Sequence, residues 1–262
     1  TKLSARDSLS LRGVLSGALT VSSTGAISQF GALQVTGAMA LSGASVTLAD
    51  PANDFSGLVT VTAGVTAISD ANDLKISLAT SETKLSARDS LSVSGGVSGS
   101  LTASSTGAIT QFGTVKVTGA TALSGASVSL ADTANDFQDL VTVTTGATAI
   151  SDVSDLNVSL TTGETKLSTG GKLSLSGVVS GALAASSTGA ISQFGALQVT
   201  GATALTGASV SLADPANDFI GQVTVTAGAT TISDVNDLNV SLTTGETKLT
   251  TGGVLSVSGV VS

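Results

Sequence analysis

Carboxylates are the only groups in this sequence clustered densely enough to do chemistry. Asp50, Asp54, Asp70 and Asp73 lie close together, and the set returns as Asp132, Asp136, Asp152 and Asp155 and again as Asp214, Asp218, Asp234 and Asp237. Stacked on successive turns of a repeating fold about 5 Å apart, two such carboxylates repel unless a cation or hydrogen-bond donors offset them. Calcium takes oxygen ligands of this kind, and Asn53 and Asn72 have carbonyls to add. Asp and Asn also favour turns for local reasons, by bonding their own backbone. The Gly-Gly-x-Gly-x-Asp signature of calcium-binding β-rolls is absent. The sequence therefore favours the turn reading, with calcium at the twelve aspartates as the sharper alternative, and calls for no other cofactor.

Other chemistries lack their residues. With no His and no Cys, Ser-His-Asp and Cys-His catalysis, cysteine zinc sites and disulfides are excluded. Paired acids cleave polysaccharides when one asymmetric cleft holds them as acid and base. Here every acid occurs in triplicate, and there is no Trp or Tyr to serve as a sugar platform, so the expectation is a non-catalytic protein. Eighteen acidic against ten basic side chains give a net charge of -8, which argues against a nucleic-acid partner, because phosphate binding is driven by Lys and Arg. The pairs Thr60/Thr62, Thr142/Thr144 and Thr224/Thr226 are too sparse for an ice-binding array and read as ordinary outward strand threonines. Phe30 and Phe55, with their copies, read as core or corner fillers.

The elements that position these residues follow from repetition. Thr1-Lys2-Leu3-Ser4 returns as Thr83-Lys84-Leu85-Ser86, as Thr165-Lys166-Leu167-Ser168 and as Thr247-Lys248-Leu249-Thr250, always 82 residues on and without insertion or deletion. The repeat units are 1–82, 83–164 and 165–246, with a partial unit 247–262. Within a unit, Ala32–Thr36, Ala44–Leu48, Leu58–Thr62, Leu74–Leu78 and Leu91–Val93 alternate apolar with polar residues, the mark of a half-buried strand. Gly, Ser, Asn and Asp punctuate the runs as turns require. Ala52-Asn53-Asp54-Phe55 is echoed nineteen residues later by Ala71-Asn72-Asp73-Leu74. Coils of roughly 20 residues with three short strands describe a parallel β-solenoid, or β-helix. A β-sandwich also fits alternating strands, but the indel-free echo favours one continuous solenoid over residues 1–262. The expectation is about a dozen strands and four coils per unit, around a narrow core of Ala, Val, Leu and Ile.

Charged residues make up 11% of the chain, against about 25% in an average domain, yet 41% are apolar, so the chain is not disordered. Leu48-Ala49-Asp50-Pro51-Ala52-Asn53-Asp54-Phe55, Val59-Thr60-Val61-Thr62-Ala63-Gly64 and Ile68-Ser69-Asp70-Ala71-Asn72-Asp73-Leu74 resemble the repeat region of filamentous-haemagglutinin-like exoproteins. That resemblance implies a right-handed parallel β-helix, a bacterial cell-surface or extracellular location, and an outer-membrane export partner. It brings no catalytic residues. The function expected is a structural segment of a fibre or adhesin stalk, whose partners are further coils of the same chain and lateral fibre contacts. The alternative is a binding module whose face recognises a glycan, a host receptor or a surface. No secretory signal or apolar run of bilayer length occurs, so no membrane insertion is expected. Both ends match mid-repeat segments, so the expectation is a polypeptide that runs on with more coils. Positions that drift between units, such as Gln34/Lys116/Gln198 and Gly57/Asp139/Gly221, are expected outside, with no deep pocket on the fibre.

Overall fold

The structure, a computed structural model, describes residues 1–262, which divide into two compact units, Thr1–Leu130 and Ala131–Ser262. Each is a parallel β-solenoid with fifteen strands and no helix. The division falls inside the second repeat rather than at a repeat boundary. Residues 1–82 supply ten strands, slightly fewer than a dozen.

In the first unit the chain pairs with itself one coil on. Lys2 lies opposite Thr20, Thr20 opposite Ala40, Ala40 opposite Thr60, and Thr60 opposite Ser77, in steps of 18, 20, 20 and 17 residues. Period-2 alternation makes such stacking favourable, because every inward side chain lands on another inward side chain. Val21, Leu41, Val61 and Leu78 form one such buried ladder. Burying each of these side chains contributes about 1.5–3 kcal/mol. Phe55, Phe137 and Phe219 are among the largest fully buried side chains.

Each repeat holds about four coils, and slightly more. Four coils carry Lys2 only to Ser77, short of its repeat copy Lys84. Lys84 lies instead opposite Ala67, which pairs with Thr47 in a different column of strands. The second unit repeats the offset. Lys166 belongs to the column of Ala184, Ala204, Thr224 and Ser241, whereas Lys248 belongs to that of Thr231 and Ser211. With three faces per coil, an 82-residue repeat spans about four and a third coils, and within each unit the later copy moves to the neighbouring face. The sequence period is therefore not a whole number of structural periods.

Corners are turned by specific devices. Strand Leu173–Val179 stays paired throughout with strand Leu156–Thr162 of the preceding coil, yet its buried positions run Leu173, Leu175, Ser176 and Val179, so the alternation is broken at Ser176 and Gly177 and resumes at Val179. Gly177 has φ +111°, a left-handed conformation that only glycine adopts freely. At another corner, inward threonines bond each other across the turn: the hydroxyls of Thr80 and Thr83 are 2.6 Å apart, as are those of Thr162 and Thr165.

Four buried hydroxyls, on Thr66, Thr121, Thr203 and Thr230, have no partner. Thr121 and Thr203 occupy the position of buried Met39 in the first repeat, so that place accepts an apolar side chain. A desolvated hydroxyl without a partner costs about 1–3 kcal/mol. Thr121→Val and Thr203→Val should each raise stability by about 1 kcal/mol, read as a higher thermal midpoint. A lower midpoint would show that these hydroxyls are satisfied in solution.

Candidate functional site

The twelve aspartates have four distinct structural roles. Asp50 accepts the Ala52 amide at 3.0 Å, as Asp132 and Asp214 accept those of Ala134 and Ala216, closing a local turn. Asp73 reaches the next coil and accepts the Ser90 amide at 2.8 Å; Asp155 and Asp237 do the same for Lys172 and Val254. Asp70 is buried, taking the Asn72 amide on one oxygen and the Phe55 amide of the preceding coil on the other, both at 2.8 Å. Asp152 and Asp234 are held alike by Ser154 and Phe137 and by Asn236 and Phe219. Asp54, Asp136 and Asp218 take side-chain donors: Ser56, then Gln138 with Ser154, then Asn236. Asp50 and Asp70 do not face each other, since one turns to its own loop and the other inward to the Phe55 amide. Asp70 is followed in its column by Ala87, and Asp152 by Thr169, so carboxylate does not stack on carboxylate there. No three acidic side chains converge on a common ion position.

Burial raises the Asp70 carboxyl above its ordinary value, more than the Asn72 and Phe55 amides lower it, and the charges of Asp54 and Asp73 push the same way. Burial likewise raises Asp152 against the Phe137 and Ser154 donors, with Asp136 adding to the rise. Between the unfolded value of 3.8 and the raised folded value, the folded chain binds more protons than the unfolded one. Stability from these two groups therefore falls as pH rises through that window. The excess of negative charge acts in the same direction. The thermal midpoint should fall as the pH is raised from just below 3.8 through the raised value of these two carboxyls, and a midpoint that climbs steadily over that interval would contradict this.

A second constellation was not legible as a site. Phe30, Phe112 and Phe194 are 62%, 41% and 52% exposed, so they are not fillers, in contrast to buried Phe55 and its copies. Each rides a bulge. Leu11 and Gly13, two residues apart, pair with Gln29 and Leu33, four apart, so the chain between them is pushed outward with Phe30 on it. The Arg12 guanidinium lies 4.8 Å from the Phe30 ring centre, and the Lys75 ammonium 4.7 Å from that of Phe112. A cation over an aromatic face is attracted by the ring quadrupole.

A buried amide braces the bulge from inside. Asn53 is fully buried and uses every polar site. Its Oδ1 accepts the Leu33 amide and Gln29 Nε2, both at 2.9 Å. Its Nδ2 donates to Gln29 Oε1, Leu48 O and Ser69 O. Gln29 also donates to Gly31 O at 3.0 Å, inside the bulge. Asn217, Gln193, Leu197 and Gly195 repeat the arrangement around Phe194. Asn53 thus holds backbone in place, and has no carbonyl to spare for an ion. Parity was the available signal: with Ile27, Leu33 and Val35 inward, Phe30 falls on the opposite set.

The threonine pairs Thr60/Thr62, Thr142/Thr144 and Thr224/Thr226 are exposed. Thr60 and Thr62 are flanked by Ala40 and Ser42 on one side and Ser77 and Ala79 on the other, so no threonine array extends over that face.

Residues 1–62, 63–144 and 157–226 match a family described as repeats of unknown function (DUF5649), and the middle match has the full 82-residue period. The chain belongs to this family. In this chain the repeat is built on inter-coil aspartate caps, a buried asparagine and a projecting phenylalanine. No curated protein and no solved structure matches the chain.

Proposed function

We propose that this chain is a non-catalytic structural segment of a long bacterial surface protein of the filamentous-haemagglutinin-like kind, exported and displayed outside the cell. The observation that carries the reading is how the polar groups are employed. The aspartates, which had the best prospect of chemistry, are committed to amides and hydroxyls that hold one turn or one coil to the next. Within each unit, a repeat of four and a third coils hands each outward residue to a new face, which suits a spacer better than an array that must present one face to a ligand.

Antibodies to this chain, applied to intact cells of the producing bacterium, should label fibres at the surface. Deleting one 82-residue repeat should shorten those fibres in electron micrographs without abolishing adhesion. Labelling only after permeabilisation would defeat the proposal. The exposed phenylalanine bulges favour one other reading, a binding module. Saturable, competable binding of the isolated chain to a glycan array would favour that reading over the spacer.

A further inference from the structure

The three phenylalanine bulges are not chemically equivalent. Around Phe30 and Phe112 the chain supplies its own cation, Arg12 or Lys75. At Phe194 no cation lies over the ring. The residue one repeat on from Lys75 is Asn157, and that one repeat on from Gly57 is Asp139. Both changes alter one place, because Asp139, Leu140, Asn157, Ser174 and Phe194 together line a groove of about 290 Å³ in the second unit. One positive charge has gone and one negative charge has arrived.

We propose that this groove binds the guanidinium group of an arginine side chain presented by a partner protein, which takes the position that the chain's own cation fills at the other two rings. Three features support this occupant. The Phe194 ring is half exposed and offers its π face. Asp139 commits one oxygen to the Leu140 amide at 2.7 Å, leaving the second for an incoming donor. Asn157 and Ser174 border the groove with polar side chains that extend the acceptor set. A guanidinium suits this combination because it is planar, weakly hydrated and able to stack on a ring while bonding a carboxylate. The inference stands apart from the spacer reading, since a surface fibre can carry a local contact for a partner without being a glycan receptor.

The test uses the full chain with 13C-labelled phenylalanine and N-acetyl-arginine amide as probe. The Phe194 ring signals should shift saturably, while the uncharged citrulline analogue leaves them in place. Asn157→Lys, which restores the intramolecular cation, should weaken binding about tenfold or more, and Asp139→Asn and Phe194→Leu by a comparable factor. All three positions face outward, and circular dichroism checks that each variant folds. Should Asn157→Lys fail to fold, the other two variants carry the test. Equal shifts with the citrulline analogue, or undiminished affinity in the variants that fold, would overturn the proposal.

Discussion

Asn53→Ala will sharply lower hydrogen-exchange protection of the coil it braces. The alanine leaves the Leu33 amide, Leu48 O and Ser69 O without the partner they have in the fold, in a place where Asn53 is fully buried. Each orphaned buried group costs about 1–3 kcal/mol, so a total of about 4 kcal/mol is expected after Gln29 swings toward solvent. Because solenoids open coil by coil, a single global midpoint understates such a change. Hydrogen exchange at the Leu33 amide is the sharper measurement, and its protection should fall by about three orders of magnitude. Asn217→Ala should do the same at Leu197, whose amide is 2.8 Å from Asn217 Oδ1. Gln29→Ala should cost much less, since Gln29 is only partly buried. A loss at Asn53 below about 1 kcal/mol would mean that water replaces the amide.

Gly177→Ala carries the second large penalty, for a different reason. The left-handed conformation at φ +111° costs a residue with a Cβ about 1–2 kcal/mol. Here the added carbon would also collide with the Leu160 carbonyl on the neighbouring coil, where the nearest atoms are all backbone. Backbone held by paired strands on both sides cannot give way as a flexible side chain can. The expected destabilisation is about 3–5 kcal/mol, in the range reserved for strain at special backbone positions. Gly95→Ala, beneath which Leu78 plays the part of Leu160, should match it. Val178→Ala, one residue away at an exposed position, should change stability by less than about 0.5 kcal/mol. Thermal unfolding of the three variants side by side checks the ordering, and a tolerated alanine at Gly177 would show that the corner can re-form without a left-handed residue.

Much was legible in the one-dimensional pattern. Runs such as Val59-Thr60-Val61-Thr62 determine strands, because period-2 alternation suits no other regular backbone. The nineteen-residue echo between Ala52-Asn53-Asp54-Phe55 and Ala71-Asn72-Asp73-Leu74 determines that the strands wind into coils of nearly that length. The indel-free repeat determines a parallel solenoid rather than a loop-bearing sandwich. These are local or periodic properties, and a linear reading reports them directly. Non-local pairing decided the rest. Whether Lys84 stacks in the column of Lys2 depends on the summed lengths of four unequal coils, and the bulges and corners that set those lengths show only as pairing shifts between strands. The fate of Asn53 was hidden for the same reason, because its partners Gln29, Leu33 and Ser69 come from neighbouring coils. The exposure of Phe30 turned on the phase of alternation across a bulge, and bulk alone argued for burial. Asp70 and Asp50 look alike in sequence, yet only the coil beneath Asp70 supplies the Phe55 amide that lets a carboxylate remain inside. Residue type and period determine which elements form; the register between coils determines which polar groups meet, because a hydrogen bond needs its partner at the right height in the stack.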